Sequence, residues 1–283
     1  MKTLKVGGVP EHFNLPWHLC IENDEFKNQD INVIWKDFPD GTGAMTRALR
    51  NGEIDVAVLL TEGAVKDIIS GNEARIVQSY IASSLIWGIH VDAGSDYQSI
   101  EDLAGKKVAI SRVGSGSQLM AYVNAQNQAW DPSKLEFEIV GDINGAVKAL
   151  KEGRADYFMW EHFTTKPLVD NGTFRRVADC PTPWPCFVIA VKNEILKIDY
   201  ADVRKMIDIV NQKSSEILNI PGIDKVFAER YGQKIEDIRK WMEITSWSQQ
   251  QISEADLEEV QQQLLRLDLI SNTIDSSCIL YNL

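Results

Sequence analysis

The sequence predicts an α/β protein of two similarly built lobes, each a mostly parallel sheet flanked by helices. The first observation behind this is a helix-to-strand turn that occurs twice. Ala48-Leu49-Arg50-Asn51-Gly52-Glu53-Ile54-Asp55 and Ala149-Leu150-Lys151-Glu152-Gly153-Arg154-Ala155-Asp156 share the pattern Ala-Leu-x-x-Gly-x-x-Asp, followed in each case by an apolar run. A glycine there suits the left-handed residue that ends a helix. The second observation is that each copy is preceded by a strand-like run and a polar turn. The third is length: 283 residues, 44% of them hydrophobic, suffice for two cores. A repeat this long is too wide for a solenoid and suits two related domains.

In chain order, Lys5 to Val9 forms the opening strand and Ile31 to Trp35 the second, with Asp40-Gly41-Thr42-Gly43 starting the helix that ends at Gly52. Tyr80 to Val91 is an extended apolar run expected to cross to the second lobe. That lobe repeats the scheme with Lys107 to Ser111, Leu135 to Val140 and a turn at Asp142-Ile143-Asn144. Cys186 to Val191 is a matching apolar run expected to carry the chain back, making a two-segment hinge. The expected lobes are residues 1–86 with 190–283, and residues 87–189. The remainder reads as helices at Tyr200 to Leu218, Asp224 to Tyr231 and Lys234 to Met242. A last one is opened by Ser253 with Asp256 as a partial capping box, and Leu257, Val260, Leu264 and Leu267 form one apolar face.

Composition removes several classes of function. The net charge is -12 and no block of Lys and Arg occurs, so nucleic acid is not an expected partner. No apolar run reaches the roughly 18 residues of a membrane span, so no membrane insertion is expected. Met1 to Pro10 is broken by Gly7, Gly8 and Pro10 and reads as a strand rather than a signal segment. The expectation is a cytoplasmic protein without a transporter partner, or a periplasmic one if a leader ahead of Met1 has been removed. The four cysteines, Cys20, Cys180, Cys186 and Cys278, match neither a disulfide framework nor a zinc site, so no metal is expected.

Four stretches together resemble a known family: Val6 to Cys20, Ala48 to Asp55, Ser99-Ile100-Glu101-Asp102-Leu103-Ala104-Gly105-Lys106-Lys107-Val108-Ala109, and Gly153 to Asp156. Their order and spacing over residues 4–270 resemble the type II periplasmic binding proteins, in the branch for alkanesulfonates and thiamine-precursor pyrimidines. The resemblance implies two α/β lobes on a hinge, closing over a small ligand. That branch includes an intracellular pyrimidine synthase, which holds pyridoxal phosphate on a lysine and consumes its own histidine. Aligned on Asp55, those two positions are Leu59 and Gly63 here. Leucine has no amine for a Schiff base. No cofactor and no catalytic residue are therefore assigned.

Ligands of parallel α/β sheets sit beyond the carboxyl ends of the strands, which selects the candidate residues. Gly8, Pro10, Glu11, His12, Phe13 and Asn14 form a first loop dense in polar and aromatic groups, whereas Trp17 reads as core. Thr42 and Gly43 open a helix whose N–H groups suit an anion, unless Asp40 caps them. Ser111, Arg112, Ser115, Gly116 and Ser117 combine hydroxyls, a guanidinium and a helix start, and suit a phosphate, sulfonate or carboxylate. Thr61 and Glu62, and Trp160 and Glu161, follow the two Gly-x-x-Asp strands and suit a cationic group with a ring to stack on it. Trp184 is a wall of the pocket or fills the hinge.

The expected function is binding of a small anionic or zwitterionic metabolite, heteroaromatic or not, inside the cell. The alternative is an enzyme of cofactor biosynthesis, thiamine- or menaquinone-pathway-like, on the same fold, with His12 beside Glu11 or Glu161 as its acid–base set.

Overall fold

The computed structural model describes residues 1–283. They divide into two units, Met1–Ser84 with Trp184–Leu283, and Leu85–Pro183. The return to unit 1 therefore falls about six residues before the expected 189/190 boundary, for a reason that lies in the sheet described below.

Unit 1 opens with β1 (Lys2–Gly8), α1 (Leu15–Glu22), β2 (Ile31–Asp37), α2 (Thr42–Arg50), β3 (Val56–Leu60), α3 (Thr61–Ile69) and β4 (Ala74–Ile81). Unit 2 follows with β5 (Ile86–Asp92), β6 (Val108–Ile110), α4 (Gly116–Asn127), β7 (Phe137–Ile139), α5 (Ile143–Lys151), β8 (Tyr157–Glu161), α6 (Lys166–Asp170) and β9 (Phe174–Pro181). The chain completes unit 1 with β10 (Phe187–Lys192), α7 (Asn193–Ile198), α8 (Tyr200–Glu216), α9 (Ile223–Tyr231), α10 (Ile235–Ile244) and α11 (Glu254–Arg266).

Both sheets have five strands and the same topology. Unit 1 runs β2-β1-β3-β10-β4 and unit 2 runs β7-β6-β8-β5-β9. In unit 1, β10 is antiparallel to both β3 and β4, and in unit 2, β5 is antiparallel to both β8 and β9. Four strands of each sheet thus share a direction and one opposes them. The run Cys186 to Val191, expected to be a connection, is largely β10, buried in the middle of the unit 1 sheet. Likewise Tyr80 to Val91 is mostly the end of β4 and nearly all of β5, which leaves Ala82 to Leu85 between the strands.

The repeated turn has one physical job in both units. Gly52 and Gly153 adopt the left-handed conformation, with φ of 71° and 68°. Around Gly52, Gly52 N–H donates to Leu49 O and Glu53 N–H to Ala48 O, the paired bonds of a Schellman ending; Gly153 and Arg154 do the same with Leu150 and Ala149. The aspartate then closes the start of the parallel pair. Lys5 N–H donates to Asp55 Oδ2 and Asp55 N–H to Lys5 O, each at 2.8 Å. Lys107 and Asp156 repeat both bonds at the same 2.8 Å.

The edge of unit 1 at β4 is covered by the chain's last segments. Ser79 N–H donates to Gln250 O, Ser248 N–H to Tyr80 O, and Ile76 N–H to Ile279 O. An unpaired edge of that length would invite association with other strands. Ser253 caps α11 through Asp256 N–H at 3.0 Å, as its sequence indicates, and Leu257, Val260 and Leu264 are buried while Leu267 is half-exposed. No helix is long and apolar enough to cross a membrane.

Candidate functional site

At the carboxyl end of β1, the first loop turns inward more than its composition suggests. Gly8 is required by packing, because a Cβ there would lie 2.4 Å from the Trp35 ring. His12, Phe13 and Asn14 are buried. The His12 ring lies 4.2 Å from that of Trp241, 4.8 Å from Phe13 and 6.0 Å from Tyr231. Burial pulls its pKa down to about 3, so it is neutral. Phe13 packs on Phe187 and Trp241, and Asn14 Nδ2 donates to Val9 O at 2.8 Å. These three residues, expected at the ligand, instead fasten the loop to unit 1's own interior. Pro10 remains exposed and Glu11 half-buried. Trp17 is core, beside Phe26 and Trp35.

The start of α2 is open. Its N-cap is Gly41, at φ 72°, with no side-chain cap, and Asp40 is exposed rather than bonded to the helix start. Thr42 Oγ1 accepts from Leu60 N–H at 3.3 Å, which ties this helix start to that of α3. Gly63 completes the contact, since a Cβ there would meet the Thr42 methyl at 2.2 Å. Two helix N-termini thus meet where Gly41, Gly43 and Gly63 carry no side chains. The corresponding helix of unit 2, α5, differs: Asp142 caps it through Gly145 N–H at 2.8 Å.

Thr61 and Glu62, the first residues of α3, are buried. Thr61 N–H donates to Cys186 O, and its hydroxyl to Pro185 O. Glu62 Oε2 accepts from Trp184 Nε1 at 3.0 Å, whereas Oε1 has no partner. Burial raises its pKa to about 7, against the lowering effect of its own backbone N–H and of Trp184. Trp184 is 2% exposed, with its Nε1 on Glu62.

In unit 2 the loop after β6 is pre-organised by its serines. Ser117 Oγ accepts from Ser111 N–H at 3.0 Å and lies 2.9 Å from Ser115 Oγ. Ser115 is the N-cap of α4, accepting from Gln118 N–H at 3.4 Å, and Gln118 Oε1 in turn accepts from Gly114 N–H at 2.6 Å. Ser111, Ser115 and Ser117 are buried, while Arg112 and Gly116 are half-buried. A fixed backbone, a helix start and a guanidinium at one strand end make an anion-favouring surface.

After β8 the two expected residues separate in role. Glu161 is buried and its pKa is raised by that burial, although Thr164 N–H donates to Oε2 at 2.6 Å. Trp160 is the last but one residue of β8 and is half-buried. It lies 5.4 Å from Phe158 with planes 20° apart and packs on the core formed with α5 and α6, including Leu168 and Val169. His162, the residue after β8, turns toward β9. Its N–H extends the β8–β5 pairing to Ile86 O at 2.9 Å, and its Nδ1 lies 2.9 Å from Asp179 Oδ1.

Two matched α/β units with candidate groups at their carboxyl strand ends define the type II periplasmic-binding-protein class, and this chain has that fold. Within it, residues 87–180 match the family model for Ca3427-like periplasmic binding proteins. The Candida albicans CA3427 gene product, described as defining a family with the generic periplasmic-binding-protein fold, superposes with a TM-score of 0.87 at 24% identity. That match covers 98% of this chain and 93% of that one. The alkanesulfonate-binding protein SsuA of Xanthomonas axonopodis pv. citri, bound to MOPS, gives 0.82 at 14% identity over 100% and 99%. The periplasmic nitrate-binding protein NrtA of Synechocystis PCC 6803 gives 0.74 at 13% identity over 98% and 84%. No curated protein matches the sequence.

Proposed function

We propose that this chain is a solute-binding protein for a small anionic or zwitterionic metabolite, with each unit offering ligand groups at the carboxyl ends of its parallel strands. The observation that carries the reading is the contrast between the helix starts, of which α2 and α5 are counterparts. Asp142 fills that of α5, whereas Gly41 leaves that of α2 open and the Ser111–Ser117 loop builds a rigid surface around that of α4. Open N–H groups favour negative charge. The printed ligands of two structural neighbours, a sulfonate and nitrate, are anions as well.

The enzymatic alternative loses its proposed base, because His12 is enclosed by Trp241, Tyr231 and Phe13 and is 1% exposed. Isothermal titration of the purified full chain with MOPS, ethanesulfonate, nitrate and phosphate tests the reading. Micromolar binding of at least one anion, weakened about tenfold or more by Arg112→Ala, is the expected result. No binding of any of these anions, together with no small molecule retained in native mass spectra, would sink it.

A further inference from the structure

The joined starts of α2 and α3 contain a buried acid. Leu60 and Gly63 both meet Thr42, the first residue of α2, through the Leu60 N–H bond to Thr42 Oγ1 and the close approach of Gly63 to the Thr42 methyl. Glu62 stands between them in the first turn of α3, 3% exposed, and its own backbone N–H donates to its carboxyl. The carboxyl is therefore folded back on the end of α3 that meets α2. Its two oxygens are not equivalent. Oε2 accepts from Trp184 Nε1 at 3.0 Å, whereas Oε1 is buried and has no hydrogen-bond partner in the chain. In the acid form the oxygen that takes the indole N–H remains the acceptor, so the proton belongs on Oε1. A buried O–H with no acceptor is uncommon in a folded protein and points to a partner from outside the chain.

No charged side chain sets the ionisation of Glu62. The elements packed on α3 carry Arg47 and Arg50 on α2, Arg75 on β4, Lys192 on β10, and Arg266 with four acids on α11, while α3 itself carries Lys66 and Asp67. None of them contributes to the shift, which burial raises to about 7 against the two hydrogen bonds that the carboxyl accepts. Of the two histidines of unit 1, His12 titrates near 3, and His18 is lowered by burial and by Arg230. An anion held at the open start of α2 is placed beside this carboxyl, where it repels the ionised form and accepts a hydrogen bond from the acid form. We propose that Glu62 is a ligand-contacting residue that meets the solute as a neutral acid, its Oε1 hydroxyl donating to the anionic group at the joined starts of α2 and α3, so that each anion enters with one proton taken from solvent. This rests on the anionic-solute reading above and specifies the chemistry at its unit 1 end. The group received there is an oxyanion that accepts hydrogen bonds, and not an ammonium, which needs Glu62 ionised.

The probes are ethanesulfonate and nitrate, which stay ionised throughout, so a proton taken up on binding belongs to the protein. Isothermal titration of the full chain at pH 6 and pH 8, in buffers of different ionisation enthalpy, counts those protons. For a group of pKa about 7 that must be protonated to bind, the expected uptake is about 0.9 proton per anion at pH 8 and about 0.1 at pH 6, with Kd about tenfold weaker at pH 8. Glu62→Gln is expected to lose the uptake and to bind with the same Kd at both pH values. In the unaltered protein, the titration midpoint of the Glu62 carboxyl carbon resonance should move upward when ethanesulfonate saturates the chain. Anion binding without proton uptake at pH 8, or uptake that persists in Glu62→Gln, overturns the role of Glu62 while leaving anion binding standing. If neither anion binds, the reading on which the role rests falls and the role with it. Should Glu62→Gln fail to fold or to bind, the carboxyl resonance decides the matter, and a midpoint that ethanesulfonate does not move overturns the role.

Discussion

Glu62 is a buried carboxyl with one oxygen on Trp184 and the other unpartnered. Its folded pKa of about 7 lies above the ordinary 4.5. The folded state therefore holds a proton that the unfolded state releases, so the favourable effect is complete below about pH 4.5 and is lost as pH rises through 7. Glu62→Gln keeps an acceptor for Trp184 and removes the charge. It should raise stability at pH 8 by an amount on the order of 3 kcal/mol at most, with little gain at pH 5, as read by urea denaturation at the two pH values. The buried imidazoles act in the opposite direction. His12 and His90 have folded pKa values of about 3, both through burial, with Arg176 adding to the effect at His90. The unfolded chain takes up protons near pH 6.5 and the folded one does not, so stability falls as pH drops from 6.5 toward 3. His12→Phe, which keeps a ring against Trp241, should flatten that acid limb, by up to about 1.4 kcal/mol per pH unit. None of this was legible locally. The rings that enclose His12 belong to α9 and α10, more than two hundred residues along the chain, and a loop of Pro, Glu, His and Asn looks like a surface until they are in place.

At the scale of elements, the repeated turn was the most readable feature, because glycine and aspartate each answer a local backbone demand. Each aspartate side chain accepts one backbone N–H, from Lys5 or Lys107, so Asp55→Ala and Asp156→Ala should each cost roughly 1 to 2 kcal/mol of stability, while the backbone bond back to the lysine carbonyl survives. Asp156→Ala should cost the more, since Asp156 also accepts from Tyr97 at 2.7 Å. Urea denaturation of the two variants checks both the size and the order. Ser115→Ala removes the α4 cap and should cost about 1 kcal/mol while also loosening the Ser117 bond to the Ser111 backbone. The positions of β5 and β10 were the least readable. A continuous apolar run suits a connection or a fully buried central strand equally well, and only pairing partners distinguish the two. Strand alternation places Trp160 on the same face as Phe158, against the core that α5 and α6 cover, a neighbourhood its position near the strand end does not reveal.

For the whole molecule, a bound solute stabilises by mass action, so saturating ligand at about one hundred times its Kd should add roughly 2.7 kcal/mol to the unfolding free energy. The division into two α/β units followed from the turn repeat, but the return crossing did not, because it depends on which sheet claims β10. That strand has a consequence for how the protein is made. Unit 2 is one continuous stretch, whereas the unit 1 sheet lacks the strand between β3 and β4 until residues 187–192 have left the ribosome. Domains generally form as the chain emerges. The middle of the polypeptide is thus able to mature while the beginning waits, open along β3 and β4, for its partner. Pulse-labelled hydrogen exchange on stalled nascent chains ending near residue 230 should find β5–β9 amides protected before those of β3 and β4. A nascent chain of this protein is accordingly most exposed to chaperones and to misassociation through its first third, during the interval in which its second third is being translated.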